Sequence, residues 1–252
     1  MDAWSASEGL LSTAASREPA GQHPDADKRL PQAVLWDMDG TLVDTEPYWI
    51  ETEFALAAEY GGTWSRELAL ELVGNDLITS GRFIRRRMGI DLTPEEIVER
   101  LLDGVVARVR HEVPWRPGAR KLLEDLRQAE VPCALVTMSY ERFVAPILAH
   151  LPVGSFRAVV TGDAVLRGKP DPEPYLTAAR LLAVDPAACV AIEDSDTGAT
   201  SARAAGCPVL VVPHHVGVPP GPGRSFRETL VGLSPSDLGL LPDRDLPQGD
   251  LR

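Results

Sequence analysis

Short apolar runs recur along the chain, and each is followed by polar residues, glycine or proline. Continuous runs of this length are typical of strands buried on both faces of a sheet. The runs that we interpret as strands are Ala33 to Trp36, Cys133 to Val136, Ala158 to Val160, Cys189 to Ile192 and Val209 to Val212. Helical patterns with short connections separate the later runs. This alternation predicts an α/β fold with a parallel sheet covered by helices on both faces.

A different pattern follows the first run, because residues 46–113 have helical periodicity and no convincing strand. One predicted helix begins at Glu46 and ends before Gly61. The others span Ser65 to Val73, Thr79 to Met88 and Pro94 to Arg110. Since this insert interrupts the alternation of strand and helix, we expect an inserted all-helical cap domain outside the sheet. The core would then consist of residues 31–45 and 114–241.

The patterns in the second half of the chain complete this picture. Predicted helices of the core span Pro117 to Ala129, Tyr140 to His150, Pro172 to Ala183 and Asp196 to Ala205. Short pieces packed on the core are predicted over Phe226 to Leu233 and Ser236 to Leu241. Residues 1–30 and 242–252 have little to bury, so we expect a disordered leader and a flexible tail.

Composition narrows the possible partners. The net charge of −12 over 252 residues disfavours nucleic acid and anionic membranes as partners, so any anionic substrate must meet local cations or a metal. No apolar run approaches the roughly 18 residues that span a bilayer, and residues 1–30 lack the pattern of an export signal. The cysteines Cys133, Cys189 and Cys207 are far apart and odd in number, which indicates free thiols in a reducing compartment. We expect a cytoplasmic monomer or weak homo-oligomer.

Two carboxylates follow the first predicted strand. Asp37 and Asp39 are two residues apart, so on an extended chain both point to one face, and such close charges need a cation nearby or a proton on one of them. A simple turn explains one aspartate but not the pair. A calcium loop would use Asp37, Asp39, Gly40 and Glu46, but its first ligand and its entering helix are both missing. The third interpretation is a nucleophile and an acid/base at the end of a strand.

Other polar side chains follow other predicted strands. Thr137 comes after the second strand, Lys169 lies in the loop after the third, and Glu193 and Asp194 follow the fourth. In an open parallel sheet, ligands bind beyond the carboxyl ends of the strands, so these residues can converge. Taken singly, each has an ordinary explanation: a turn threonine, an exposed lysine, and the acidic start of a helix.

The four motifs in this order, DMDGT (37–41), Thr137, GKPDP (168–172) and IEDSDTG (192–198), resemble those of the haloacid dehalogenase superfamily. The helical insert resembles the subgroup with a small helical cap, which includes phosphoglycolate phosphatases, sugar-phosphate phosphatases and β-phosphoglucomutases. The resemblance covers residues 33–212 and implies a Rossmann-like core. The dehalogenase branch lacks the second aspartate and the metal, and is therefore disfavoured.

The resemblance implies a role for each motif residue. Asp37 would be the nucleophile that forms an aspartyl phosphate, and Asp39 would act as general acid and base. Mg²⁺ would be bound by Asp37, the backbone carbonyl of Asp39 and Asp194, with Glu193 as a further ligand or as a partner of the ligands. The phosphoryl oxygens would be bound by Thr137, Lys169 and the backbone amides of Met38 and Met138.

The cap and the region after the last strand are less informative. A basic cluster, Arg82, Arg85, Arg86 and Arg87, could meet a second anionic group or simply form a solvated helix face. The turn at residues 74–76, together with Glu46 and Tyr48, could face the crevice. His214 and His215 are adjacent, and because neighbouring side chains on an extended chain point to opposite faces, a loop is favoured over a metal site.

These observations predict a Mg²⁺-dependent phosphatase acting on a small phosphorylated metabolite. A phosphosugar mutase would use the same residues but keep water out and return the phosphoryl group to its substrate. A binding protein without catalysis is a third possibility, since a fold does not determine a function. Its mark would be the loss of a strand-end residue, and none is lost.

Overall fold

The structure is a computed structural model, and it describes residues 30–241. Nearly all of the predicted leader and the whole of the predicted tail lie outside the described residues. Six parallel strands form one sheet in the order β3-β2-β1-β4-β5-β6. The strands are β1 Ala33–Trp36, β2 Cys133–Val136, β3 Ala158–Val160, β4 Cys189–Glu193, β5 Val209–Val211 and β6 Arg224–Phe226. The predicted α/β fold with a Rossmann-like parallel sheet is therefore confirmed.

Strand β1 lies in the middle of the sheet. It pairs with β2 on one side, where Leu35 is opposite Ala134, and with β4 on the other, where Leu35 is opposite Ala191. All residues of these three strands are buried, because helices cover both faces. The carboxyl ends of β1, β2 and β4 therefore meet at one edge of the sheet, which is where the predicted site residues lie.

The sixth strand, β6, was not predicted. It pairs in parallel with β5 at the sheet edge, and its Arg, Ser and Phe residues are only half-buried. A short edge strand of this composition has no apolar run, so hydrophobic patterning cannot detect it. The segment Phe226 to Leu233 therefore contributes only its first residue to a regular element.

The described residues form nine α-helices, four in the insert and five in the core. Those of the insert are α1 Glu46–Tyr60, α2 Arg66–Leu70, α3 Leu77–Met88 and α4 Pro94–His111. Those of the core are α5 Ala119–Gln128, α6 Glu141–Leu148, α7 Glu173–Leu182, α8 Asp196–Ala204 and α9 Pro235–Gly239. None of the helices in residues 30–241 combines the length and apolarity that crossing a membrane requires.

Two boundaries in the insert differ from the prediction for local reasons. Helix α3 begins at Leu77 rather than Thr79, because the Asp76 carboxylate caps it by accepting from the Thr79 backbone amide at 2.8 Å. Helix α2 ends at Leu70 rather than Val73, since residues 71–74 form turns that lead to Gly74 at φ +79°. This turn brings the start of α3 over the edge of the sheet.

The chain enters and leaves the helical insert through two linkers that pair with each other. The Asp44 backbone amide donates to the Pro114 carbonyl at 2.7 Å, and the Arg116 amide donates to the Leu42 carbonyl at 3.0 Å. Val43 and Trp115 form an antiparallel bridge between these bonds. The insert is thus held above the carboxyl ends of the strands, and a cavity lies between the two.

Candidate active site

Lys169 and Asp37 form a buried ion pair at the centre of the sheet edge. The Lys169 ammonium lies 2.7 Å from Asp37 Oδ1 and 2.7 Å from Glu193 Oε1, and all three side chains are almost fully buried. Burial alone would lower the pKa of Lys169, but the two carboxylates outweigh it and raise the pKa above its usual value. The lysine therefore stays protonated and holds the two acidic groups together.

Glu193 is the most enclosed acid of the site, with no exposed surface. Besides Lys169, its Oε1 accepts from the hydroxyl of Tyr175, and its Oε2 accepts from Ser195 Oγ at 3.3 Å. The Tyr175 ring centroid lies 5.2 Å from the Lys169 ammonium. Sequence reasoning missed Tyr175, because nothing in its position on α7 distinguishes a site residue from a core residue.

Asp39 is surrounded by hydroxyl groups. Thr45 Oγ1 donates to its Oδ1, while Ser139 Oγ donates to its Oδ2 at 2.7 Å and Thr137 Oγ1 does so at 3.3 Å. Burial raises the pKa of Asp39 above its usual value, although the bonds from Thr45 and Ser139 oppose the shift. A carboxyl group with a raised pKa can hold a proton and give it away, as a general acid must. Thr45 and Ser139 were not predicted.

Two oxygens of the site have no partner. Asp37 Oδ2 and Asp194 Oδ2 are buried and accept no hydrogen bond from any residue that the structure describes. Asp37, Glu193 and Asp194 each offer an oxygen within 4.8 Å of the others. Burial, and then the nearby charges of Asp37 and Glu193, raise the pKa of Asp194 well above its usual range. Buried carboxylate oxygens without partners are unfavourable, and a cation between them removes that cost.

Gly40 makes room for this arrangement. Its φ of +86° is in the left-handed region, and a Cβ atom at this position would overlap Asp194 Oδ2. The donor set of carboxylate oxygens suits a small hard divalent ion such as Mg²⁺. The calcium-loop alternative is wrong, because Asp37 follows strand β1 and no helix enters the turn.

The cavity above this edge has one wall from the core and one from the insert. The core wall includes Asp37, Asp39, Thr137, Met138 and Lys169, and Met138 also packs there through its sulphur, which accepts from the Lys169 backbone amide at 3.1 Å. The cap wall is formed mainly by helices α1 and α3 and the turn between α2 and α3. The structure therefore brings most of the predicted motif residues to a single cavity, while Glu193 is buried behind its wall and contacts Lys169.

A family model described as haloacid dehalogenase-like hydrolase matches residues 34–212. The chain belongs to the haloacid dehalogenase-like hydrolase family. It is 36% identical over 185 residues to hexitol phosphatase A of Escherichia coli, and the aligned residues cover 72% of this chain and 82% of that protein. It is 32% identical over 185 residues to a phosphorylated carbohydrates phosphatase of Thermotoga maritima, and the aligned residues cover 69% of this chain and 82% of that protein. The predicted superfamily is confirmed, and the predicted phosphatase class agrees with these names.

Solved structures of haloacid dehalogenase-like proteins also match the fold. CbbY from Rhodobacter sphaeroides, solved in complex with phosphate, superposes with a TM-score of 0.72 at 27% identity, covering 81% of this chain and 96% of that one. A hydrolase of the same family from Entamoeba histolytica superposes with a TM-score of 0.73 at 20% identity. The superposition covers 84% of this chain and 99% of that one. The overall fold is thus shared with these solved structures.

The cap residues of this haloacid dehalogenase-like hydrolase differ from what the sequence suggested. Glu46 and Asn75 line the cavity, but Tyr48 does not, and Asp76 caps α3 instead. The basic cluster Arg82, Arg85, Arg86 and Arg87 is exposed and lies outside the cavity wall. Its interpretation as a solvated helix face is therefore correct, and its interpretation as a substrate contact is not supported.

His214 and His215 lie in a loop, as predicted, but their rings do not point to opposite faces. The ring centroids are 3.9 Å apart, and the two Nε2 atoms lie 3.0 and 2.7 Å from the Asp44 carboxylate oxygens. Arg116 Nη1 lies 2.8 Å from His214 Nδ1. A bend after β5 turns both rings toward the linkers, so this cluster fastens the insert to the core.

Proposed function

We propose that this protein is a Mg²⁺-dependent phosphatase that hydrolyses small phosphorylated carbohydrates through an aspartyl phosphate on Asp37. The observation that carries the proposal is the arrangement around Asp37. Lys169 holds one of its oxygens, the other is buried with no partner among residues 30–241, and a carboxylate oxygen of Asp194 lies within 4.8 Å of an Asp37 oxygen. A nucleophile, a fixed cation and a place for a second cation thus surround one point, as attack on a phosphate dianion requires.

In the first half of the reaction, an Asp37 oxygen attacks phosphorus in line, and the bond between phosphorus and the leaving oxygen breaks. Asp39 gives its proton to that leaving oxygen, a task that suits its raised pKa. In the second half, Asp39 takes a proton from water, which attacks the aspartyl phosphate and frees Asp37. Thr45 and Ser139 keep the Asp39 carboxyl in place during both steps.

Mg²⁺, when bound, would supply positive charge that offsets the repulsion between Asp37 and the phosphate. We assign Asp37, Asp194 and the backbone carbonyl of Asp39 as its holders. Glu193 was predicted as a ligand or as a partner of the ligands. Its oxygens already accept from Lys169, Tyr175 and Ser195, which favours a role in holding the lysine.

We assign the binding of the phosphoryl oxygens to Lys169, to Thr137 and to the backbone amides of Met38 and Met138. The Thr137 hydroxyl accepts from the Ser139 amide at 3.0 Å and faces Asp39, so it is already positioned at the rim. Buried free thiols at Cys133, Cys189 and Cys207 are consistent with the cytoplasmic location that we propose.

A panel of phosphorylated metabolites, assayed for phosphate release with Mg²⁺ and with a chelator, tests the proposal. We expect release from sugar phosphates and from a generic aryl phosphate with Mg²⁺ alone, and no release with the chelator. A mutase would need a bisphosphate activator and would convert one sugar phosphate into another. Activity that persists in the chelator would contradict the assigned role of the ion.

A further inference from the structure

The cap wall of the cavity carries two acids on one face of a helix. Glu46, Trp49 and Glu53 of α1 all line the cavity, and their spacing of three and then four residues places them on the same helical face. They lie across the cavity from the strand ends. The part of a substrate that extends away from its phosphate must therefore pass this face.

Contacts with other side chains hold Trp49 and Glu53 in place. Trp64 Nε1 donates to Glu53 Oε2 at 2.9 Å, and Trp49 packs edge-on against Phe143 with ring centroids 5.3 Å apart. Glu53 is only 4% exposed. Burial raises the pKa of both Glu46 and Glu53 to about 8. Neither acid forms a salt bridge within residues 30–241, so both can exchange hydrogen bonds with a neutral ligand.

No free cation faces the two acids. Among the described residues that line the cavity, Lys169 is the only lysine or arginine, and Asp37 and Glu193 already pair with it. The charge of Arg66 acts on Glu46, but Arg66 is exposed on α2 and lies outside the cavity wall. A second anionic group of a substrate would thus lose its water and meet carboxyl groups instead of a counter-charge.

Building on the proposed phosphatase function, we propose that Glu46 and Glu53 select phosphate monoesters whose remaining groups are uncharged hydroxyls and reject esters that carry a second anionic group. A carboxyl group, ionised or protonated, accepts or donates hydrogen bonds with a hydroxyl, and Trp49 supplies an apolar surface for carbon atoms. Among the residues that the structure describes, this wall has no lysine or arginine that could pair with a carboxylate or a second phosphate.

A matched pair of substrates tests the inference. Sorbitol 6-phosphate and 6-phosphogluconate differ only at C1, where the first has a hydroxymethyl group and the second a carboxylate. For the wild-type protein with Mg²⁺, we expect kcat/KM to be at least about tenfold higher for the polyol ester, because the carboxylate loses its water and finds no unpaired cation among the described residues of the cavity. At pH 9, where Glu46 and Glu53 of the wild type are largely ionised and repel the carboxylate, this ratio should be severalfold lower in Glu46→Gln and in Glu53→Gln than in the wild type.

The control variant is Glu59→Gln, which removes an acid from the same helix, where Glu59 is exposed and pairs with Arg100 outside the cavity. Its ratio should equal that of the wild type. The inference is overturned if the protein hydrolyses an aryl phosphate but has equal kcat/KM for sorbitol 6-phosphate and 6-phosphogluconate, or prefers 6-phosphogluconate. The proposed function would still stand after either result. Failure to hydrolyse any ester overturns both. The ratio of the two kcat/KM values for the wild type tests the inference even if a glutamine variant does not fold.

Discussion

The two walls of the cavity are built in different ways. On the core wall, acidic side chains at the ends of β1 and β4 bind a lysine from the loop after β3, and Lys169 joins Asp37 to Glu193 by two contacts of 2.7 Å. On the cap wall, Glu46, Trp49 and Glu53 are held mainly by packing, with one polar contact from Trp64 to Glu53. Within the described part of the chain, the core wall has a cation that pairs with its acids, whereas the cap wall has none.

This difference indicates how the work is divided. A dense network of charges that depends on each member is suited to chemistry, because it fixes the reacting groups before the substrate arrives. A sparsely bonded wall can exchange side chains without disturbing the reacting groups, and so is suited to the choice of substrate. Substitutions in the core wall should therefore change the rate, while those in the cap should change selectivity or stability.

The largest effect is expected from Asp37→Asn, which removes the proposed nucleophile but keeps the size of the side chain. We expect kcat to fall by about 10⁴ or more, as for other enzymes that lose a nucleophile, with a circular dichroism spectrum like that of the parent. Asp91→Asn, an exposed position in the insert, serves as the matched control and should keep full activity. An Asp37→Asn variant that turns over as fast as the parent would show that the core wall does not act as proposed.

Removal of the metal should affect stability as well as rate. Mg²⁺ at a hundred times its Kd should stabilise the parent by about 2.7 kcal/mol, since it binds only the folded state. Asp194→Asn should lose this gain and, in chelator, should unfold at a higher temperature than the parent, because a buried carboxylate without a partner is gone. Thermal unfolding with and without Mg²⁺ measures both. If Mg²⁺ raised the unfolding temperature of the parent and of Asp194→Asn by the same amount, Asp194 would not be a ligand of the ion.

The cap wall should make stability depend on pH. Burial raises the pKa of Glu53 from the usual 4.5 to about 8 in the folded protein. Between these two pH values the folded state keeps the proton and the unfolded state loses it. The free energy of unfolding therefore falls as the pH rises from about 4.5 to about 8. Glu53→Gln should match the parent at pH 4 and exceed it at pH 9 by on the order of 3 kcal/mol. Glu46 shifts in the same direction and remains in both proteins.

Urea unfolding at the two pH values tests this, with Glu59→Gln as the exposed control on the same helix. The control should show no comparable gain at pH 9. A Glu53→Gln variant that is less stable than the parent at pH 9 would mean that the carboxylate is stabilised by its surroundings, contrary to the cap wall described above.

The smallest effect is expected from the basic cluster on α3. Because Arg82 and Arg86 are exposed and lie outside the cavity wall, replacing either with alanine should change kcat/KM for sugar phosphates by less than about twofold. Steady-state kinetics with sorbitol 6-phosphate measures this. A tenfold loss of kcat/KM would mean that this exposed helix face contacts the substrate. The cap wall as described would then not be the surface that selects it.

The sequence predicted the core wall well because local rules suffice there. Apolar runs locate β1, β2 and β4, and parallel strands present their last residues at one edge, so Asp37, Thr137 and Asp194 had to lie close together. The edge strand β6 escaped detection because its residues are polar and half-buried. The side chains that complete the site, Thr45, Ser139 and Tyr175, have ordinary sequence surroundings.

By itself, the sequence determined the order of the elements, the sheet and the chemistry of its edge, because these follow from hydrophobic periodicity and from the direction of strands. Only the tertiary structure decided which side chains of the insert face that edge. Helix α1 presents Glu46 and Glu53, α3 turns its arginines to solvent, and His214 and His215 both reach Asp44. These contacts depend on how separate segments pack, and the spacing of residues within one segment holds no information about its neighbour.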